Sequence, residues 1–99
     1  MEFSFLGKYC VVRSDRAGVF AGTVAEHEGQ AVILKDVRRL WYWDGAASIS
    51  QIAVDGTTAA NNCKFTMPVE TLGLFDVIEL IPATDKARNV IEGVKVWKR

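Results

Sequence analysis

The sequence predicts a small α+β domain built on an antiparallel, barrel-like β-sheet with two short helices. Most of the chain consists of runs rich in β-branched and aromatic residues, separated by Ser, Asp and Gly turn signals. Only two stretches carry apolar residues at helical spacing. No internal repeat, low-complexity tract or linker interrupts the 99 residues, so residues 1–99 are expected to form a single domain.

Tyr9 to Arg13 (YCVVR) reads as a strand, and SDRAG after it supplies a turn. Gly18 to Glu26 alternates loosely. EHEG, ending at Gly29, makes the next turn, and Gln30 to Trp43 is a long run of strand formers. Three antiparallel strands follow from this order. Asp44 is expected to cap a helix running from Ala46 to Val54, in which Ile49, Ile52 and Ala53 form the apolar side and Ser48, Gln51 and Asp55 the polar one. DGTTAANN then reads as an exposed loop. Val69 to Ile81 is expected to be one strand, with Gly73 a bulge and Pro82 ending the pairing. Thr84 caps DKARNVIEG, whose Ala87, Val90 and Ile91 make an apolar stripe, with Arg88 one turn from Glu92 and Gly93 as the stop. VKVWK alternates as a final strand.

Twelve basic residues balance twelve acidic ones, so no overall field draws the chain to nucleic acid or to an anionic membrane. The N-terminal MEFSFLGKY lacks the pattern of a leader, and no run approaches the roughly 18 to 20 apolar residues that span a bilayer. A cytosolic address and no membrane partner are expected. Cys10 and Cys63 lie far apart without CxxC or Cys/His spacing, which predicts reduced structural thiols and no metal site. No cofactor fingerprint is present, and the single histidine, His27, falls between two glutamates in a turn. These features predict a binding protein with no catalytic residues.

The candidate site is RRLWYWDGAASIS, residues 38 to 50. Along a strand, Arg39, Trp41 and Trp43 would share one face and Arg38, Leu40 and Tyr42 the other, so each face combines a guanidinium with an aromatic ring. A base can stack on such a ring. A helix beginning after Asp44 would present backbone N–H groups to a phosphate, with Gly45 and Ala46 leaving room and Ser48 adding a hydroxyl. Asn62 and Lys64, beside Asn61, could read a base edge or a second phosphate. The same tryptophans fit two other uses, as core or as anchors in a protein interface.

The run KDVRRLWYWDGAASISQIAVDGT, with NNCKF, DVIELIPATDKA and VKVWK after it, resembles a family of short proteins encoded by tailed phages and prophages, a domain of unknown function. The likeness covers nearly the whole chain, and RRLWYWDGAAS is its most specific part. It implies an accessory phage protein acting in the bacterial host cytoplasm, and it carries over no reaction. By analogy of class, such a protein would bind and sequester a nucleotide-derived host immune signal, of the cyclic oligonucleotide or cyclic ADP-ribose type, without cleaving it. A domain this small has little room to enclose such a ligand alone, which predicts a homo-oligomer. The alternative is a protein-interaction module that docks a host or virion protein through its Trp/Tyr patch. Single-stranded nucleic acid is disfavoured by the zero net charge.

Overall fold

A computed structural model describes residues 3–99; Met1 and Glu2, at the start of the expected 1–99 domain and its N-terminal stretch, lie outside the described residues. β1 (Tyr9–Ser14), β2 (Gly18–Glu28) and β3 (Ala31–Tyr42) form an antiparallel meander. The free edge of β1 takes β6 (Val77–Pro82). The free edge of β3 takes β5 (Val69–Leu74) along its first half and the two-residue β4 (Lys64–Phe65) at Leu40 and Tyr42. The sheet is therefore antiparallel with two helices, as expected.

Only Phe75 and Asp76 join β5 to β6, although the two strands sit on opposite edges of the order β5-β3-β2-β1-β6. The sheet must coil until those edges approach. Among the described residues no pairing closes it, so the expected barrel is an open one. Coiling is aided by irregularities where β2 meets β3. Asp36 adopts φ 50° there, and the extra residue resets the alternation so that Val32, Leu34 and Val37 all face the same cluster.

Both faces of the sheet are buried. Inside the coil lie Cys10, Val12, Phe20, Val24, Val32, Leu34, Val37, Leu74 and Val77. On the opposite face Tyr9, Val11, Ala21, Leu40 and Phe65 pack beneath Ile52, Ala53 and Ile91 of the two helices. This explains the unbroken apolar run YCVV: successive residues enter different cores, and none can be polar.

Helix α1 spans Ile49–Asp55, three residues later than expected, and its cap is Ser48, whose Oγ accepts from the Gln51 N–H at 3.2 Å. Asp44 is not the cap. Helix α2 spans Asp85–Gly93 with Thr84 as cap, accepting from the Ala87 N–H at 3.0 Å. The Thr84 hydroxyl also donates to the Val54 carbonyl at 2.7 Å, which locks the start of α2 onto the end of α1. Arg88 and Glu92 pair at 3.4 Å as their spacing predicts.

Two strand expectations fail. Val69 to Ile81 is two strands, because Leu74 and Val77 both enter the inner core and the chain must turn at Phe75-Asp76 to do so. VKVWK makes one parallel bridge, Val96 to Phe65, extended by the Trp97 N–H donating to the Phe65 carbonyl at 2.9 Å. Among the described residues no helix is long and apolar enough to cross a membrane.

Candidate functional site

The alternation of β3 sends Arg38 and Arg39 to opposite faces. Arg38 points under α2 and is 3% exposed. Its Nε donates to the Thr66 carbonyl at 2.8 Å, NH1 to Ile91 at 2.7 Å and NH2 to Phe65 at 3.2 Å, while the guanidinium carbon sits 5.7 Å from the Phe65 ring centre. Burial pushes its pKa down, yet three carbonyl dipoles converge on a group that stays charged at neutral pH. The expected phosphate clamp is thus committed to the fold at Arg38. It ties β3, β4 and the end of α2 together.

Arg39 is exposed and lies 4.9 Å above the Phe20 ring. The three ion pairs among the described residues are Arg13 with Glu79, Lys86 with Asp55 and Arg88 with Glu92, so Arg39 has no carboxylate partner there. It stands between two open clefts. One, of about 260 Å³, contains Val37, Thr66, Met67 and Leu72. The other, of about 200 Å³, contains Gly18, Val19, Trp41 and Trp43.

Trp41 is 62% exposed and Tyr42 51%. The strand ends at Tyr42, so Trp43 leaves the alternation and packs half-buried against the helix-side core while still lining the Arg39 cleft. On its other side Trp41 meets Trp97, the two rings 13° from parallel with centres 6.1 Å apart. Lys64 Nζ lies 5.9 Å from the Tyr42 ring centre and 5.6 Å from that of Trp97. A cleft of about 300 Å³ beside them is lined by Asn61, Cys63, Lys95, Trp97 and Lys98. The structure thus brings together Arg39, Trp41, Tyr42, Trp43 and Lys64, and it adds Trp97. Alternation in VKVWK hinted at a strand carrying Trp97, but nothing local tells which element a C-terminal segment lies beside.

The phosphate seat expected at Gly45, Ala46 and Ser48 does not sit on a helix start in the way expected. Gly45 and Ala46 precede the helix by several residues, and two of the N–H groups there are already used: Gly45 N–H by the Asp44 carboxylate at 2.8 Å and Ala47 N–H by Gln51 Oε1 at 2.7 Å. Ser48 is occupied as the cap. Gly45 is needed for packing, since at φ 81° a Cβ there would come 2.5 Å from the Ala59 nitrogen. Asn62 donates to the second Asp44 oxygen at 3.2 Å. The Asp44 main-chain carbonyl also receives the Thr57 hydroxyl, so Asp44 staples the ends of the loop that delivers Lys64 to the aromatic cluster.

Burial pushes the Cys10 thiol up to about 11 and, with help from Glu92, the Tyr9 phenol up to about 12. Both stay protonated at neutral pH and act as core. Among the described residues no group of three or more His, Cys, Asp and Glu is placed to hold a metal. What the surface can do chemically is stack a planar ring on Trp41 and pair an anion with Arg39 or Lys64.

No curated protein and no solved structure matches the chain. Residues 7–91 match the family described as Domain of unknown function (DUF6948), a span that runs from the turn before β1 almost to the end of α2 and includes Arg39, Trp41, Tyr42 and Lys64. With that much of the fold covered, the chain belongs to this family.

Proposed function

We propose that the chain is a phage-encoded accessory protein that binds a nucleotide-derived host immune signal and sequesters it without cleavage. The observation that carries the reading is the pairing of an uncommitted guanidinium, Arg39, with the exposed indole of Trp41 on the same side of β3. The base would stack on Trp41, and Arg39 and Lys64 would meet its phosphates from either side. Sequestration requires affinity alone, which suits a surface whose polar groups are cations and aromatic rings. The ligand would leave the protein as it entered.

Thermal shift with a panel of cyclic dinucleotides and cyclic ADP-ribose isomers tests this, because a ligand at 100 times its Kd stabilises by about 2.7 kcal/mol. Trp41→Ala should weaken binding by about 1–3 kcal/mol through lost stacking. Mass spectrometry of heated complexes should return the nucleotide unchanged. A cleaved product would replace the reading with an enzymatic one.

The openness of the clefts favours a second reading. Trp41 and Tyr42, each more than half exposed, would then be anchors for a host or virion protein. An absence of thermal shift across the panel, with a Trp41-dependent protein complex recovered from host cells, would select it.

A further inference from the structure

A cleft of about 490 Å³ is lined by none of the candidate site residues. It opens where β5 and β6 meet the β1–β2 turn, and its apolar lining includes Gly73, Leu74 and Ile78. Phe75 stands at its edge with 76% of its surface exposed, more than any other large apolar residue described, and Ile78 adds 47%. Its ring leans back over Gly73, where a Cβ would come 3.4 Å from the Phe75 Cζ and 3.2 Å from Ile33 Cδ1, and leaves its outer face to solvent. Among the described residues β5 pairs only with β3 and β6 only with β1, so two strand edges are open next to this apolar surface.

The charges around the cleft are of two kinds. Asp76 is committed to the fold: its carboxylate receives the Ser14 hydroxyl and, at 3.0 Å, the Arg16 N–H. The neighbouring side chains of Asp15 and Arg16 have no ion-pair partner among the described residues, and both line the same cleft. One free charge of each sign, side by side on a short turn, can complement itself about a two-fold axis. A uniformly acidic or basic partner would leave one of them facing its own sign.

We infer that this cleft is the interface of a two-fold homodimer, in which Phe75 of each copy enters the other's cleft and Arg16 of each meets Asp15 of the other. The inference stands independently of the nucleotide reading. It has a consequence for that site: Ala17 lines both this cleft and the Arg39–Trp41 cleft, so the second copy would lie against its border.

Sedimentation velocity across a concentration series tests the interface. The expected result is a reversible dimer of twice the chain mass. Phe75→Glu should raise the dissociation constant about tenfold or more and leave thermal unfolding intact, because the ring is outside both cores. Asp15→Arg and Arg16→Asp should each weaken the dimer, and the double swap, which restores opposite charges across the axis, should recover it. A wild-type chain that stays monomeric up to about 100 μM, weaker than a specific dimer should be, overturns the inference. So does a dimer indifferent to Phe75→Glu, or a double swap no better than the single ones.

Discussion

The side of the sheet covered by α1 and α2 and the rim formed by the end of β3 are built from the same residue types. On the covered side Arg38 is closed in by three carbonyls and Phe65. On the rim Arg39, its neighbour in sequence, lies over Phe20 with its donors facing solvent, and Trp41 is mostly exposed. A guanidinium buried with its hydrogen bonds satisfied acts as a structural tie, whereas the same group uncommitted beside an exposed ring is available to a ligand. The chemistry of a residue is thus less informative than whether its donors are already used.

The largest effect expected from this comparison is at Arg38. Arg38→Met keeps much of the volume but leaves the Thr66, Ile91 and Phe65 carbonyls without their donor, and it should cost about 3–5 kcal/mol of stability. Urea unfolding midpoints measure it. A small loss would mean that the two arginines are equivalent, and the contrast between the regions would fail.

Next is the response to alkali. Tyr9 titrates near 10 in an unfolded chain and at about 12 when folded, so between those values the unfolded state gives up its proton first. The stabilisation is complete below pH 10 and is lost as pH rises to about 12. Cys10 repeats the pattern between 9 and about 11. Two pH units of difference correspond to about 2.7 kcal/mol per group at most. Chemical denaturation at pH 8, 10 and 11.5 should show this decline, and Tyr9→Phe should flatten its upper part. These groups lie at the start of β1, one in each core, so the decline reads out the buried regions and leaves the rim silent.

The smallest effect should come from Arg39→Ala, within about 0.5 kcal/mol in unfolding, since its side chain makes no ion pair among the described residues. The same variant should lose nucleotide binding if the rim is a site. A destabilisation comparable to that of Arg38→Met would show that stacking on Phe20 is structural and would remove Arg39 from the site.

The elements legible in advance were those with local causes. β-branched runs bounded by Gly and Asp marked β1, β2 and β3, and Thr84 with the Arg88–Glu92 spacing marked α2, because caps, turns and one-turn pairs need only near neighbours. The start of α1 was misjudged because Asp44 and Ser48 are both good caps locally. A distant partner decided between them: Asp44 binds Asn62 and Thr57, and Ser48 is left to begin the helix.

Local patterns of residues suffice to specify a mostly antiparallel sheet with two helices and a concentration of cations and aromatic residues near the end of β3. Tertiary structure alone decided which arginine is consumed, where Trp97 lies and how far the sheet closes. A period of two fixes only that Arg38 and Arg39 face apart. Which face receives α2 depends on where residues 85 to 93 fold back, some fifty positions along the chain, and no local pattern contains that contact.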